Sequence, residues 1–324
     1  MFETLIGVIT GIVVTGLLVL VIALIIAWRF SHMVAKKASA ALPAKGRFTE
    51  VSGGRLHWVE KGEGQPVVMI HGLGGNHHNF TYAMTERLAA AGYRAIAVDR
   101  PGCGWSERDS DEQARIPEQA RMIAEMLGKE GIEKPLLVGH SLGGAVSLAL
   151  AVNHPEQVGG LALVSALITP PDAPSEAFAG IDLANPAMRR FVAETLAIPM
   201  SIRNGAKTLA IIFGPDPAPD DFRVRGGGLL SMRPDAFYAA ATDMAAVGKD
   251  MHAITARIGE IQVPVGMFYG MDDRILSAPE QIAALTAAVP DADVETMEAR
   301  GHMPLVIEPE RLEAFIVRMA GKLG

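Results

Sequence analysis

A serine in a tight, glycine-rich turn is the strongest chemical signal in the chain. The string GHSLG at residues 139–143 matches the pattern G-x-S-x-G. A predicted strand, 134–138, precedes it, and a predicted apolar helix, 142–152, follows it. Such a turn holds a hydroxyl above the edge of a sheet, because glycines on either side relieve the crowding there. The pattern therefore predicts Ser141 as a nucleophile.

An acid and a histidine follow later in the chain. Asp272 and Asp273 come after one predicted strand, and His302 comes after the last one. Beside Ser141, His302 would accept the hydroxyl proton, and the acid would fix the tautomer of the imidazole and stabilise the imidazolium. The order serine, acid, histidine is the one that this kind of turn requires. Position alone leaves both aspartates open as the acid.

A second glycine-rich string, HGLGG at residues 71–75, ends another predicted strand. Its glycines keep the backbone exposed and close to a substrate. We expect the backbone N–H groups of Leu73 and Leu142 to stabilise the negative charge that develops on a substrate oxygen. Leu142 also opens a helix, whose dipole favours negative charge at that end. The alternative is a turn that serves only to reverse the chain.

These strings resemble those of the α/β-hydrolase fold superfamily over residues 47–323. The resemblance implies a mostly parallel, doubly wound sheet with an inserted helical cap. It also implies that the triad acid is Asp273, three residues after a glycine, with Asp272 as the alternative. The strings that carry it are HGLGG at 71–75, DRPGCGWS at 99–106, GHSLGG at 139–144, GMDD at 270–273 and GH at 301–302.

The resemblance also narrows the chemistry. Epoxide hydrolases and haloalkane dehalogenases of this fold resemble the chain around DRPGxGxS, but they place an aspartate where this chain has Ser141. A serine at that position favours acyl-enzyme chemistry on esters, thioesters, amides or activated C–C bonds. In this family the DRPGCGWS turn is mostly structural, and we expect the same of it here.

Predicted strands and helices alternate after residue 47, which indicates a largely parallel sheet with helices on both faces. The alternation stops between Ile168 and about Met251, where proline and glycine are frequent and no buried strand is evident. We predict a hydrolase core in two parts, 47–168 and 252–324, around a helical cap, 169–251. The predicted strands are 47–51, 55–60, 66–70, 94–98, 134–138, 161–165, 263–269 and 294–297. The predicted helices of the core are 81–91, 116–128, 142–152, 279–289 and 309–323.

The N-terminal segment is predicted to cross a membrane as a single helix, 4–28. No charged residue lies between Thr4 and Trp28, and the run is long enough to span the hydrocarbon core with a tryptophan at its interface. A cleaved signal peptide is the alternative, but no basic residue precedes the apolar run. Residues 29–46, rich in Ala, Lys and Ser, are predicted to form a short juxtamembrane helix or tether.

Flanking charges predict the orientation of this span. Glu3 precedes it, whereas the basic residues follow it, so the positive-inside rule places the catalytic domain on the cytoplasmic side. Gly7 and Gly11 form a GxxxG pair, which allows two helices to pack closely as a homodimer. Glycine is, however, common in membrane spans generally. The basic residues that follow the span are Arg29, Lys36, Lys37, Lys45 and Arg47.

Composition limits the partners and cofactors. The 324 residues carry a net charge of −7 and one cysteine. An excess of acid argues against a nucleic-acid partner held by phosphate contacts, and one cysteine excludes an intramolecular disulfide and a four-cysteine metal site. We expect a small-molecule substrate, no cofactor and no metal ion. We further expect His77 and His78 to be solvated loop residues and Cys103 to be a bystander.

These features together predict a membrane-anchored serine hydrolase that cleaves lipophilic carboxylic esters, lipase-like or of the monoacylglycerol type. The anchor would hold the site near the bilayer, where such esters partition. A cap rich in Met and Phe suits an apolar chain, although the same side chains could serve only to pack the cap. The alternatives are a C–C bond or amide hydrolase, a perhydrolase, and a non-catalytic binding protein on a hydrolase scaffold.

Overall fold

A largely parallel sheet forms the centre of the computed structural model, which describes residues 2–170, 175–178 and 180–323. Residues 171–174 and 179, part of the predicted cap, lie outside the described residues. The strands are β1 (Arg47–Val51), β2 (Gly54–Lys61), β3 (Gln65–Ile70), β4 (Tyr93–Val98), β5 (Glu107–Arg108), β6 (Leu136–His140), β7 (Gly160–Val164), β8 (Val265–Gly270) and β9 (Asp293–Met297). Their order is β1-β2-β4-β3-β6-β7-β8-β9, with β5 paired to β2. The strands from β4 to β9 pair in parallel, and β2 pairs antiparallel with β1, β4 and β5.

Helices cover both faces of this sheet, as predicted for a doubly wound fold. Alternate residues of a strand point to opposite faces, so Val68 and Ile70 belong to the buried cluster on one face of the sheet, whereas Val67 and Met69 belong to the cluster on the other face. The helices are α1 (Phe2–Ala41), α2 (His78–Thr81), α3 (Met84–Ala90), α4 (Ile116–Lys129), α5 (Leu142–Asn153), α6 (Pro186–Thr195), α7 (Ala197–Phe213), α8 (Phe222–Arg225), α9 (Pro234–Thr255), α10 (Ala278–Ala288), α11 (Pro304–Ile307) and α12 (Pro309–Ala320).

One predicted helix, 81–91, is divided in the structure. Helix α2 ends at Thr81 and α3 begins at Met84. Between them Ala83 has φ −144° and ψ −36°, outside the helical region, so the backbone hydrogen bonds of a single helix cannot continue. The apolar spacing was compatible with one helix, because side-chain periodicity does not reveal a local change in backbone angle.

Four strands end at one edge of the sheet with residues that carry chemistry. His71 follows β3, Ser141 follows β6, Asp273 lies three residues after β8, and His302 lies five residues after β9. The chain leaves β3 toward β4 on one side and reaches β6 on the other. Connections that diverge in this way leave a crevice at the carboxyl ends of the strands. The crevice therefore lies between the two glycine-rich strings.

The stretch between β7 and β8 contributes helices α6 to α9 and, within the described residues, no strand. Helix α9 is the longest of the four at 22 residues and contacts both α4 and α5 of the core. It continues to Thr255, four residues beyond the predicted end of the cap. The glycine-rich and proline-rich composition of this stretch is thus compatible with short helices joined by loops.

The N-terminal segment forms one helix, α1, over Phe2–Ala41. An 18-residue window within it has a mean hydropathy of 3.0, so the helix is long and apolar enough to cross a membrane; an N-terminal signal sequence passes the same test. The predicted tether, 29–46, is helical as far as Ala41 and continuous with the predicted span. Alanine and lysine favour helix strongly, which accounts for this continuation.

The last turns of α1 pack against the cap. Ser31 Oγ donates a hydrogen bond to the backbone oxygen of Thr195 at 3.2 Å. The Nε2 atom of His32 lies 2.8 Å from a carboxylate oxygen of Glu194. Ser31 and Ala38, seven residues apart and hence on one face of the helix, are both buried. The helix is therefore attached to α6 by direct contacts.

A buried aspartate holds together the loops beneath the site. The Nδ1 atom of His57 and the Nδ1 atom of His77 each lie 2.8–3.1 Å from the carboxylate of Asp99. This carboxylate also accepts hydrogen bonds from the backbone N–H groups of His77 and Trp105. Burial alone would raise the pKa of Asp99, but the charge of His77 and the hydrogen bonds from both histidines outweigh it and hold the pKa well below 3.8. The structural role predicted for this turn agrees with these contacts.

The prediction that His77 and His78 are solvated is wrong. His77 is buried against Asp99, and His78 is half-buried. Burial, and then the charge of His77, lowers the pKa of His78 to about 4. The sequence suggested an exposed loop because glycine and asparagine surround these residues, but the loop folds back over the turn that contains Asp99.

We predict that Asp99→Asn lowers the free energy of unfolding by about 3 kcal/mol, because it removes the buried negative charge and replaces one of the two acceptor oxygens with an NH2 group that only donates. The stabilisation from a depressed carboxyl pKa is present above about pH 3.8 and is lost as the pH falls through the folded-state pKa. The measurement is denaturant unfolding of the full chain in detergent at neutral pH. Asp109→Asn, on the exposed surface of the same region, is the matched control and is expected to stay within about 0.5 kcal/mol of the wild type.

Candidate active site

Ser141 occupies a strained turn between β6 and α5. Its φ of 53° and ψ of −121° lie in a region that L-residues rarely adopt. A Cβ on Gly139 would lie 2.6 Å from the Cα of Gly144, and a Cβ on Gly143 would overlap the backbone oxygen of Ile70. The glycines therefore allow the strand and the helix to approach each other so closely that the serine is forced to the tip of the turn.

His302 and Asp273 form a direct pair. The Nδ1 atom of His302 lies 2.6 Å from Oδ2 of Asp273, and both side chains are buried. The other carboxylate oxygen, Oδ1, accepts hydrogen bonds from the backbone N–H groups of Ile275 and Leu276 at 2.7 and 3.1 Å. Asp272 is exposed, so the structure brings Asp273 and not Asp272 to the histidine.

These contacts set the tautomer of His302. A carboxylate only accepts hydrogen bonds, so Nδ1 carries the proton that Asp273 binds. In the neutral imidazole Nε2 is then the acceptor, which is the atom that a general base needs. The backbone of His302 is held as well, because Nε2–H of His140 donates a hydrogen bond to the backbone oxygen of His302 at 2.8 Å. Burial, and then the charge of His302, lowers the pKa of His140 to about 3, so His140 remains neutral.

The glycine-rich string after β3 lies directly against the serine. A Cβ on Gly72 would be 2.9 Å from the Cβ of Ser141. The backbone oxygen of Gly72 accepts from Nδ1–H of His71 at 2.8 Å and from Nη2–H of Arg100 at 2.9 Å. The C=O and N–H of a trans peptide point in opposite directions. The N–H of Leu73, in the same peptide, therefore points away from Arg100.

Leu142 supplies the first N–H of helix α5. Within the part of the chain that the structure describes, neither this N–H nor that of Leu73 donates a hydrogen bond to another protein group. Two such donors beside one hydroxyl are the arrangement that binds a developing oxyanion. The five residues predicted for the site thus lie at one edge of the sheet, and His302 and Asp273 are in direct hydrogen-bond contact.

Sequence reasoning missed the residues that fix this peptide. The guanidinium of Arg100 is fully buried, and besides Gly72 it binds Oδ2 of Asp243 at 2.7 Å through Nη1. Asp243 lies on the cap helix α9 and also binds Nη1 of Arg108 at 2.6 Å. The signal in the sequence was Asp243, a charged residue among the alanines of α9. The cap therefore reaches the oxyanion peptide through two fully buried charges.

Three further hydrogen bonds join the cap to the loop after β3. The side-chain amides of Asn76 and Asn79 donate to the backbone oxygens of Gly227 and Gly226 at 3.0 and 2.8 Å. Ser231 Oγ donates to the backbone oxygen of Gly74 at 3.0 Å. A Cβ on Gly227, whose φ is +79°, would overlap the side chain of Asn76. The glycine run at 226–228 is thus a contact point of the cap, and Arg223 and Arg225 beside it are exposed.

Two other groups contain residue types that can bind metals or act as nucleophiles. His57, His77 and Asp99 bring three ligand atoms within 4.8 Å of one another, the spacing that a metal ion requires. Their nitrogens and oxygens are already joined by hydrogen bonds of 2.8–3.1 Å, which account for the cluster. Burial, ahead of any neighbouring charge, raises the pKa of Cys103 to about 11, so this thiol stays protonated.

Comparison with known proteins agrees with this geometry. The model of the family described as alpha/beta hydrolase fold matches residues 65–309. Haloalkane dehalogenase 2 of Mycobacterium bovis is 27% identical over 285 residues, 86% of this chain and 96% of that protein. The 2-hydroxy-6-oxononadienedioate/2-hydroxy-6-oxononatrienedioate hydrolase of Cupriavidus pinatubonensis is 30% identical over 269 residues, 79% of this chain and 88% of that protein.

Among solved structures, a bacterial membrane phospholipase A superposes with a TM-score of 0.63 at 20% identity. The match covers 98% of this chain and 99% of that chain. A coverage of 98% must include most of α1, which spans Phe2–Ala41. At this identity the match shows a shared fold, extended to the N-terminal helix.

We predict that the hydrogen bond between His302 and Asp273 gives a proton resonance downfield of the amide region, because a short bond to a carboxylate deshields the Nδ1 proton. Asp273→Ala is expected to abolish this resonance, and the neighbouring Asp272→Ala, the matched control, is expected to retain it. Proton NMR of the detergent-solubilised chain makes the measurement. Retention of the resonance in Asp273→Ala would show that another group binds the histidine.

Proposed function

This chain belongs to the alpha/beta hydrolase fold family, and we propose that it is a membrane-anchored serine hydrolase that cleaves carboxylic esters with apolar acyl chains. The observation that carries the proposal is the strained turn at Ser141, which lies against Gly72 at the same sheet edge as the His302–Asp273 pair. A serine, an oriented imidazole and unpaired backbone N–H groups together provide what acyl transfer requires.

In the proposed reaction, Ser141 Oγ attacks the ester carbonyl carbon while Nε2 of His302 accepts its proton. The N–H groups of Leu73 and Leu142 donate to the carbonyl oxygen as it becomes an oxyanion. His302 then protonates the leaving alcohol as the C–O bond breaks and leaves an acyl-enzyme. A water molecule, deprotonated by His302, attacks the acyl group, and the carboxylic acid leaves as the proton returns to Ser141. Asp273 stabilises the imidazolium in both halves.

The serine itself argues for acyl chemistry over dehalogenation. The relative from Mycobacterium bovis is named a haloalkane dehalogenase, and such enzymes of this fold place an aspartate at the position of Ser141. An alkyl–enzyme ester formed on an aspartate is hydrolysed at the protein carboxyl, whereas a serine forms an acyl ester with the substrate's own acyl group. Ester cleavage also agrees with the fold shared with a membrane phospholipase A.

The N-terminal helix supports the membrane part of the proposal. Its apolar residues are exposed along the helix, and the mean hydropathy of 3.0 over an 18-residue window suits a lipid environment. The basic residues that follow the span favour a cytoplasmic catalytic domain. Gly7 and Gly11 lie on an open part of the helix, with nothing within 4 Å of a Cβ built on either, which leaves room for a second helix of a homodimer.

A C–C bond hydrolase is the second candidate. The relative from Cupriavidus pinatubonensis, at 30% identity, is named as a hydrolase of 2-hydroxy-6-oxo dienedioates and trienedioates. The same serine, histidine and oxyanion donors would serve that reaction, an amide hydrolysis or a perhydrolysis. The cap favours the ester, because its α6–α7 surface beside the membrane helix is apolar and suits a lipophilic substrate.

We predict that the full chain in detergent hydrolyses p-nitrophenyl esters with an optimum at medium or long acyl chains, and that Ser141→Ala lowers kcat by about four orders of magnitude or more. The assay panel contains esters of increasing chain length, an anilide and a vinylogous 1,5-diketone. Ser147→Ala is the matched control, because Ser147 is also a buried serine and lies in helix α5. This variant is expected to keep the activity. Preferential cleavage of the diketone would favour the C–C hydrolase, and no turnover of any substrate would favour a binding protein.

We also predict that Asp243→Asn lowers kcat about tenfold or more with little change in KM. The substitution releases Arg100, which directs the Gly72–Leu73 peptide, and removal of a single oxyanion donor costs about 10²–10³ in kcat. Asp235→Asn, an exposed aspartate on the same helix, is the matched control. Steady-state kinetics on a water-soluble ester provide the measurement, and a kcat within twofold of the wild type would show that the cap does not orient this peptide.

A further inference from the structure

Exposed large apolar side chains are concentrated on one part of the cap. Beyond helix α1, the described residues include seven such side chains, and five of them lie on or between helices α6 and α7. Exposed apolar residues are ordinary when scattered singly, but a cluster marks an interaction surface. The five are Met188, Phe191, Leu196, Met200 and Ile202, and the other two are Phe48 and Val224.

The contacts of α1 set the height of this surface relative to the predicted span. Trp28 is the aromatic residue expected at the membrane interface, and Ser31 lies about 5 Å further along the helix axis at 1.5 Å per residue. Ser31 binds Thr195, the residue before the exposed Leu196. The junction of α6 and α7 therefore lies within a few ångströms of the level at which the anchor leaves the bilayer.

Helix α1 already packs against the cap before Trp28, within the predicted span. Leu24 and Ala27 are half-buried although their neighbours in the apolar run are exposed. They lie on the same helical face as Ser31 and Ala38, which are buried, at spacings of three, four and seven residues. Part of the cap side of α1 is thus already covered within the predicted span, 4–28.

Charges around the surface suit a lipid headgroup layer. Along α7, Leu196, Met200, Arg203 and Lys207 follow one another at spacings of four, three and four residues, so they share one face. All four are exposed. Lys207 also lies 3.7 Å from a carboxylate oxygen of the exposed Glu176. Cations that border an apolar surface can contact anionic lipid headgroups.

We propose that the exposed face formed by α6 and α7, defined by Met188, Phe191, Leu196 and Met200, docks onto the membrane leaflet from which the anchor emerges. The occupant is the lipid surface rather than a second copy of the chain, because the face is continuous with the anchor and carries cations at its edge. The inference rests on the proposed membrane anchoring. It goes beyond tethering, since it fixes which side of the catalytic domain faces the lipid.

Docking would connect the bilayer to the active site through α7. This helix begins beside the α1 contact and ends at Phe213. The next residue, Gly214, lies against Gly301, because a Cβ built on Gly301 would overlap the backbone oxygen of Gly214. Gly301 precedes His302. A helix of 17 residues spans about 25 Å. One element thus runs from the lipid-facing surface to the catalytic histidine, and a lipophilic ester would enter along it.

The test uses the full chain in phosphatidylcholine–phosphatidylglycerol vesicles, with an environment-sensitive fluorophore at one introduced cysteine. The native Cys103 is buried, so it does not compete for the label. Met200→Cys places the probe on the proposed surface. Phe48→Cys is the matched control, because Phe48 is also exposed but lies beyond Ala41. Helix α1 ends at Ala41, about 20 Å from Trp28 along the helix axis.

We expect the probe at 200 to be quenched by spin-labelled lipid and protected from aqueous iodide, and the probe at 48 to show the reverse. Equal quenching of both probes by iodide, with the protein floating with the vesicles, would overturn the docking but leave the anchor intact. Protection of the probe at 200 from both quenchers would show that a second protein chain covers the face, which also overturns the proposal. Failure to float would overturn the anchor and the docking together.

A functional variant provides a second readout. Leu196→Glu with Met200→Glu is expected to raise the apparent KM for a long-chain ester presented in vesicles about fivefold or more, because charged carboxylates oppose insertion into an anionic interface. Hydrolysis of a short, water-soluble ester is expected to stay unchanged, since neither residue belongs to the catalytic machinery. Phe48→Glu is the control. An unchanged KM for the vesicle substrate would contradict docking, and loss of both activities would contradict the separation of docking from catalysis.

Discussion

The backbone conformation of Ser141 is the constraint on which the rest of the site depends. A non-glycine residue with φ 53° and ψ −121° costs about 1–3 kcal/mol, so the surrounding structure must impose it. It does so through close approach, because glycines at 139 and 143 remove the side chains that would otherwise keep β6, α5 and the end of β3 apart, and Gly144 removes one that would overlap Ala166 after β7. The hydroxyl is consequently presented at the carboxyl edge of the sheet, where the histidine and the glycine-rich loop also end.

Buried charges hold the partners of the serine in place. Arg100 fixes the Gly72–Leu73 peptide from below, and Asp243 brings the compensating charge from the cap. The histidines that line the site but do no proposed chemistry are kept neutral: burial, followed by the charge of Arg100, lowers the pKa of His71 to about 3, and His140 behaves in the same way. Of the three histidines at this sheet edge, His71, His140 and His302, only His302 binds a carboxylate, so a proton taken from the serine is stabilised there.

Local patterns predicted much of this arrangement, since the turn at Ser141, the strands that flank it and the order of the reacting residues are each encoded within a few neighbouring positions. The choice between Asp272 and Asp273 could not be made locally, because it depends on which way the loop after β8 turns. The pairing of Arg100 with Asp243 joins residues 143 positions apart, and no periodicity reports such a contact. The burial of His77 was missed for the same reason, whereas a helix was one of the two predicted forms of the alanine-rich and lysine-rich tether.

The most direct test of the account is to locate the covalent adduct that a fluorophosphonate forms with the full-length chain in detergent. Such reagents phosphonylate a serine only when a neighbouring base and oxyanion donors activate it. Mass spectrometry of the digested protein is predicted to find one adduct, on the peptide that contains Ser141, and none in Ser141→Ala. An adduct on another residue, or a folded protein that forms none, would contradict the assignment of Ser141 as an activated nucleophile.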